Sequence, residues 1–304
     1  MKTAFCFSGQ GAQYVGMLKD FYEAYPIVRE TFAQAEDALH MPIRTLCFEG
    51  PKEQLDMTVH TQPALVTAEV ALYRLLYSFN IHPAVMVGFS LGECAALIAA
   101  NVLPFTHGLE LVTVRADAMQ RAVPLGQGGM AAIIGKDEAT VSALCEEAGE
   151  VWPANFNCPG QIVISGTTNG LKRAVELASA ARITILKLPV SIPSHCPLMR
   201  PAAKTLADYL RGVAFAVPQV PIVSNADNLA YIDPNRLKEN LILQLTCPVR
   251  FEECVRMLYE DGVEVYIEIG PKRTLSSFVK KTLGGAVSYS VENVGMLESL
   301  LQAI

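Results

Sequence analysis

The stretch from Ala84 to Ala100, AVMVGFSLGECAALIAA, restricts the possible folds of this chain more than any other. An apolar run from Ala84 to Val87 meets Gly88-Phe89-Ser90-Leu91-Gly92, then passes into an alanine-rich segment that favours helix over strand. The pattern is strand, sharp turn, helix. In that setting Gly-x-Ser-x-Gly is a nucleophile elbow: the serine occupies a strained turn that lifts its hydroxyl clear of a parallel sheet, and the two glycines let strand and helix meet. Ser90 is the candidate nucleophile. The competing reading is a helix N-cap, with the hydroxyl accepting from a free N–H of the first turn.

A chain of 304 residues, 51% hydrophobic, can bury one large core, or a core and a subdomain. Its net charge of -6, with no run of Lys or Arg, argues against nucleic acid or an anionic membrane as partner. An acidic carrier would need a local basic patch. The eight cysteines have neither C-x-x-C pairs nor zinc spacing, so they read as reduced, mostly buried thiols, and no metal site is expected. No stretch reaches the ~18 uninterrupted apolar residues of a membrane span, and the N-terminus is too short in apolar residues for a signal peptide. A soluble cytoplasmic protein is expected.

Thr3 to Phe7 reads as a strand running into Ser8-Gly9-Gln10-Gly11-Ala12-Gln13. The turn lacks the third glycine of a dinucleotide fingerprint and the Lys-Ser/Thr of a P-loop, which speaks against nucleotide binding. Helical spacing dominates from Asp20 to Leu46, a helix is expected to start at Thr61-Gln62-Pro63 and run through Leu75, and Thr106 to Ala122 reads as a helix carrying Arg115. The glycines of Leu125 to Gly129 suggest a hinge. After it come a strand (130–134), a helix (138–148), two strands (151–156 and 161–165), a helix (171–181) and a strand (183–188). That βαββαβ order is the ferredoxin-like arrangement and predicts an inserted subdomain. The chain returns through Pro193-Ser194-His195 to helices at 198–210, 234–245 and 251–261 and strands at 220–224 and 263–269.

A serine hydroxyl needs a base within hydrogen-bond reach. Of the five histidines, His195 stands out, because it lies on a loop where the insertion rejoins the main body; a surface or capping histidine is the alternative. No Asp or Glu stands out as a third triad member, so a carbonyl oxygen or an amide could orient the histidine instead. Arg115 lies on a largely apolar helix. Facing inward it would need an anion, which its planar fork would grip bidentately; facing outward it is a solvated charge.

FSGQGAQ at 7–13, TQPAL at 61–65, GFSLGE at 88–93, Arg115, NFNCPGQIVISG at 155–166, PSHCPLM at 193–199, SNAD at 224–227, QLTCPVRF at 244–251 and EIGP at 268–271 together resemble the malonyl-CoA:acyl carrier protein transacylase family, in order and over nearly the whole chain. The resemblance implies an α/β-hydrolase-like catalytic domain with a parallel sheet (1–126 and 196–304), a ferredoxin-like subdomain (127–195) and a site in the cleft between them. It implies Ser90 as acylated nucleophile, His195 as base and Arg115 as the grip on the malonyl carboxylate. The oxyanion hole would be the N–H groups of Gln10 and Leu91, the Gln244 carbonyl would orient the histidine, and Gln62 would line the site.

The implied reaction moves malonyl from coenzyme A, a substrate and not a cofactor, to the thiol of an acyl carrier protein by a ping-pong route, with the enzyme a monomer. Three residues depart from the family's habit: Phe89, expected among the substrate-binding residues, stands where histidine is usual, which removes a polar group next to the site and is expected to bear on acyl choice or hydrolysis of the acyl-enzyme, Ser8 replaces a proline, and Lys272 replaces a glycine. A discrete acyltransferase of a polyketide synthase and the malonyl-loading subunit of a malonate decarboxylase would use the same residues. A serine esterase or thioesterase is disfavoured by Arg115 and by the lack of a triad acid, and a non-catalytic carrier-binding module by the presence of all three residues. Lys272, Arg273, Lys280 and Lys281 form the densest basic cluster and are expected on the carrier face, if not simply solvated.

Overall fold

Thr3–Phe7 (β1), Val85–Gly88 (β2) and a late strand, Val265–Ile269, are apolar at nearly every position, as strands covered on both faces must be. They form the centre of a parallel sheet. The computed structural model describes residues 1–190 and 192–304. Between these central strands come β3 (Gly128–Ile134), β4 (Val151–Cys158), β5 (Gln161–Thr167), β6 (Thr184–Lys187), β7 (Ile222–Val223) and β8 (Ala230–Tyr231); Val265–Ile269 is β9 and Val287–Ser290 is β10. The larger sheet runs β10-β9-β1-β2-β7-β8, parallel except for the β7–β8 pair.

Successive side chains of a strand point to opposite faces. Phe5 and Phe7 enter the main core with Met86, Ile267 and Ile269, under helices that include Thr58–Ser78, Gly92–Ala99 and Phe105–Ala122. Ala4, Cys6, Val87 and Tyr266 enter a second core against helices Phe251–Glu260 and Thr274–Leu283. The register places Phe7 level with both Gly88 and Ile269. Consequently the turns after β1, β2 and β9 leave the same edge of the sheet, at the carboxyl ends of the strands, where ligands of open α/β sheets bind.

β3, β4, β5 and β6 form a separate antiparallel sheet of order β4-β5-β3-β6, with helices Glu138–Ala148 and Thr168–Ala180 packed on one face. This is the expected βαββαβ succession. A short parallel bridge ties it to the main body: Phe156 N–H donates to the Val249 carbonyl (2.8 Å) and Val249 N–H to the Ala154 carbonyl (2.9 Å).

Local readings shift in four places. Helix Thr58–Ser78 begins a turn earlier than Thr61, because the Met57 carbonyl accepts from both His60 and Thr61 N–H groups at 2.8 Å and Pro63 is accommodated inside the helix. The glycine-rich hinge is only partly a hinge: Gly126 has φ +80°, but Gly128 and Gly129 pair with Thr167 and Gly166 as the start of β3. Gly128 has to be small there, since a Cβ would lie 2.6 Å from Pro193. The strand expected at 220–224 shrinks to two residues, flanked by Pro221, which has no N–H to give, and by Ser224, which turns to pair with Leu229. Helix Thr274–Leu283, β10 and helix Val294–Ala303 extend the fold beyond the last element read from the sequence.

The elbow glycines are fixed by contact. A Cβ on Gly88 would lie 1.9 Å from the Glu93 nitrogen and one on Gly92 2.2 Å from the Phe7 carbonyl oxygen, both immovable backbone atoms. Gly92→Ala should therefore cost about 3 kcal/mol or more in urea unfolding. Gly285→Ala, with nothing within 4 Å of the added carbon, should stay within about 0.5 kcal/mol of the parent. Equal midpoints for the two variants would show that the strand–helix junction is looser than this packing requires.

Candidate active site

β2 ends at Gly88, the next helix starts at Gly92, and the three residues between must reverse direction without a loop. Ser90 meets this by adopting φ +55°, a left-handed conformation that is unfavourable for a residue with a side chain. The turn takes two backbone groups out of sheet pairing, and one side chain satisfies both: Asn225 Oδ1 accepts from Ser90 N–H (2.7 Å) and its Nδ2 donates to the Gly88 carbonyl (2.7 Å). The Ser90 hydroxyl does not cap the helix; Leu91 holds the N-cap position without a side-chain cap.

The hydroxyl meets His195 instead. Ser90 Oγ lies 2.7 Å from His195 Nε2, and His195 Nδ1 lies 2.8 Å from the Gln244 carbonyl oxygen. A carbonyl can only accept, so Nδ1 carries the proton and the Nε2 lone pair faces the serine. His195 is held at φ +60°, a second left-handed residue, in the segment that leads from the small sheet back to the main body. Burial drives its imidazole down to about 4, assisted by the nearby Arg115 charge and opposed by the Gln244 carbonyl. At neutral pH the ring is an unprotonated base.

Arg115 is 1% exposed, on helix Phe105–Ala122. Its partners are all neutral: Nη1 donates to Gln62 Oε1 (2.9 Å), and Nη2 to Gln244 Oε1 (3.0 Å) and Ser90 Oγ (3.2 Å). Nε has no partner among the described residues. Burial holds this guanidinium below its usual range. Arg115 is thus a buried cation one hydrogen bond from the serine, with no carboxylate bonded to it among the described residues and a fork whose geometry suits one.

Gln62 Nε2 donates to Gln10 Oε1 (3.3 Å), and Gln10 Nε2 to Thr58 Oγ1 (3.0 Å). The backbone N–H groups of Gln10 and Leu91, at the ends of β1 and β2, make no hydrogen bond among the described residues. Thus Ser90, His195, Arg115, Gln62, Gln244 and Gln10 converge. Phe89 differs: its ring turns toward Phe251 (5.5 Å, 71° between planes) and Phe278 (6.3 Å), in the core on the other face of the sheet. Gly9 passes so close to it that a Cβ would lie 2.5 Å from the ring.

Two residues went unremarked in the sequence reading. Asn225 lies in the quoted SNAD segment and Glu93 in GFSLGE, but neither carried a role. Glu93 is 1% exposed and its Oε2 accepts from Gln244 Nε2 (2.8 Å) and Asn225 N–H (3.2 Å). Burial pushes its carboxyl up to about 7, against the Asn225 N–H, the Gln244 amide and the Arg115 charge. The available signal was a lone acid in an otherwise apolar helix. Among the described residues no group of three or more His, Cys, Asp or Glu could hold a metal ion, and no helix is long and apolar enough to cross a membrane.

The lowered histidine gives a pH prediction. A base whose pKa falls from 6.5 to about 4 on folding stays unprotonated in the interval between, where a solvated imidazole would be lost. The kcat/KM of any reaction in which Ser90 gives its proton to His195 should hold from neutral pH down to about 5 and fall with an acid limb near 4. A limb near 6.5 would mean that the ring is hydrated in solution.

The pattern of the family described as the acyl transferase domain matches residues 4–298. The malonyl CoA-acyl carrier protein transacylase of Escherichia coli O157:H7 is 43% identical over 304 residues, covering 98% of each chain. An acyl carrier protein S-malonyltransferase from Vibrio cholerae O1 biovar eltor superposes with a TM-score of 0.95 at 42% identity, over 99% of this chain and 100% of that one. A malonyl-transacylase solved in complex with its type II PKS acyl-carrier protein superposes with a TM-score of 0.97 at 40% identity, over 100% of both chains.

Proposed function

The chain belongs to the acyl transferase domain family, and from that premise we propose that it transfers a malonyl group from coenzyme A to the phosphopantetheine thiol of an acyl carrier protein. The observation that carries the choice of acyl group is Arg115, buried, flanked by neutral acceptors and 3.2 Å from Ser90 Oγ. A carboxylated acyl chain on the serine brings the anion this site lacks. Acetyl does not.

In the first half-reaction Ser90 Oγ bonds to the thioester carbon while its proton passes to His195 Nε2. The negative charge that develops on the carbonyl oxygen is met by the N–H groups of Gln10 and Leu91, which are not engaged elsewhere among the described residues. Collapse breaks the carbon–sulfur bond, and His195 returns the proton to the leaving coenzyme A thiolate. In the second half the carrier thiol gives its proton to His195 and attacks the acyl-serine; the carbon–oxygen bond breaks and Ser90 is reprotonated. Gln244 holds the imidazole through its carbonyl, a neutral orienting group in place of a triad carboxylate. Gln62 lines the site and pairs with Arg115.

We read residues 127–195 as the smaller subdomain and 1–126 with 196–304 as the catalytic body, with the acyl group held where they meet, since His195 closes one segment and Ser90 belongs to the other. The protein acts in this reading as a cytoplasmic monomer without a resident cofactor. The likeness to a transacylase solved with a type II PKS carrier favours a second reading, supply of a polyketide carrier, by the same residues. Turnover with carriers of each kind separates the two.

Intact mass after brief incubation with malonyl-CoA should show an adduct of one malonyl group, absent in Ser90→Ala. Arg115→Ala should lose about a hundredfold or more in malonyl acylation and far less in acetyl acylation, since a buried charge pair broken on one side costs that much. No adduct with the parent protein would remove the transferase reading.

The carrier face is argued from charge. Lys272 Nζ donates to the Gly11 carbonyl (2.8 Å), next to Gln10, while Lys280 and Lys281 end helix Thr274–Leu283, with Lys281 near enough to act electrostatically on Cys158 at the tip of the small sheet. The cluster thus reaches from the turn that holds Gln10 toward the end of β4, with Arg273 engaged by Glu292 at 3.6 Å. Reversing Lys280 and Lys281 to Glu should lower kcat/KM for the carrier by about tenfold at low salt, with the loss fading as salt is raised, and leave acylation by malonyl-CoA unchanged. An unaltered carrier rate at low salt would remove this face from docking.

A further inference from the structure

One buried acid at the site has no part in these steps. Glu93 makes no hydrogen bond to Ser90 Oγ, His195 or Arg115 among the described residues; its contacts are the Gln244 amide and the Asn225 N–H. What it controls is a direction. An amide side chain has a donor end and an acceptor end, and a flipped Gln244 would present an NH2 group to the Arg115 guanidinium, donor against cation. Gln244 Nε2 is instead held by three acceptors, Glu93 Oε2 at the shortest distance (2.8 Å), the Ser90 carbonyl (3.1 Å) and Asn225 Oδ1 (3.4 Å), which leaves Oε1 for Arg115 at 3.0 Å.

The other side of the guanidinium is organised in the same sense. Thr58 accepts from Gln10, Gln10 accepts from Gln62, and Gln62 Oε1 is left for Arg115. Arginine is therefore clamped between two amide oxygens, each aligned by an acceptor behind it. On the Gln62 side that acceptor is a chain of neutral groups; on the Gln244 side it is a carboxyl buried to 1% exposure in the first turn of the elbow helix. Gln244 also supplies the carbonyl that orients His195, but through its main chain, a contact that turning the side-chain amide leaves in place.

We propose that Glu93 is the positioning residue for acyl selectivity: by fixing the orientation of the Gln244 amide, it holds Arg115 in the pose that receives a substrate carboxylate. The inference rests on the malonyl-transfer reading above. Its prediction concerns a ratio, the rate of acylation by malonyl-CoA over that by acetyl-CoA, which general loosening of the fold would not change.

The experiment follows that ratio by intact mass in the parent, Glu93→Asp, Glu93→Gln and Arg115→Ala proteins and in the Glu93→Asp/Arg115→Ala double variant, with thermal melting as the check on folding. Glu93→Asp keeps a carboxylate but withdraws it by one methylene from Gln244; the ratio should fall about tenfold or more, mostly through the malonyl rate. Glu93→Gln retains an acceptor oxygen and should keep the ratio within about threefold of the parent. In the Arg115→Ala background the Asp substitution should change the malonyl rate by less than about twofold, because the two residues act in one chain. If Glu93→Asp does not fold, Glu93→Leu, which fills the space but offers no acceptor to Gln244 Nε2, carries the same expectation. A parent-like ratio in a folded Asp or Leu variant, equal losses with both donors, a lost ratio in Glu93→Gln, or additive effects in the double variant would each overturn the assignment. A parent protein that forms no malonyl adduct would instead overturn the function on which it rests.

Discussion

Holding Ser90 at φ +55° costs on the order of 1–2 kcal/mol relative to an ordinary backbone, and the surrounding structure is arranged to keep it there. Gly88 and Gly92 admit neighbouring backbone within distances that no side chain would tolerate. Asn225 bonds to the groups before and at the turn, the Gly88 carbonyl and the Ser90 N–H, so that the strain is not compounded by unpaired buried polar groups. The gain is geometric. A serine in a relaxed strand or helix would send its hydroxyl along the sheet or back to a helix N–H, whereas here the hydroxyl leaves the sheet edge and meets His195 at 2.7 Å. Because Phe7, Gly88 and Ile269 are level in the parallel sheet, the same edge also presents Gln10 and Leu91.

Charge at this edge is managed by burial with few ions. Arg115 faces amide oxygens, His195 faces a carbonyl, and Glu93, the nearby acid, is separated from the guanidinium by the Gln244 amide. Direct pairing of Arg115 with Glu93 would neutralise the positive charge that the proposed reaction uses to receive a carboxylate. Interposing an amide keeps the positive charge available while still giving each guanidinium NH2 group an acceptor. The low pKa of His195 follows from the same dryness: an uncharged base is cheaper to bury next to a cation than a charged one.

The small sheet contributes through where it ends. Its strand β4 is stitched to the main body at Ala154, Phe156 and Val249, and Arg250 lies over the Phe156 ring at 4.4 Å while bonding to Glu138 at 2.8 Å. These contacts anchor the small sheet beside the segment that carries His195 back into the body. Phe89, placed where a polar residue is usual in the family it resembles, turns its ring into the core beneath β2 and packs on Phe251. Its side chain therefore serves packing under the elbow, and the polar groups around Ser90 come from other elements.

What the sequence determined by itself was local. The strand–turn–helix at Ser90, the βαββαβ succession and most helix spans were legible because alternation, apolar spacing and Gly or Pro turns act over a few residues, as at Pro159-Gly160 between β4 and β5. Where the signal was short or the strand half-exposed, as in β8 and β10, pairing with a neighbour decided it. The sequence also offered Arg115 and His195 as candidates with alternatives open. Only the tertiary structure chose between a solvated and a buried arginine, because burial of a helix face depends on what packs against it. The family resemblance had already paired His195 with the Gln244 carbonyl, but only the tertiary structure joined Gln244 to Glu93 and Ser90, contacts between residues distant in the chain whose hydrogen-bond direction no local pattern encodes. Residue type fixes what a group can donate or accept; position in three dimensions fixes which partner it finds, and here that decides whether a lone arginine is a surface charge or is buried between two amide oxygens beside Ser90.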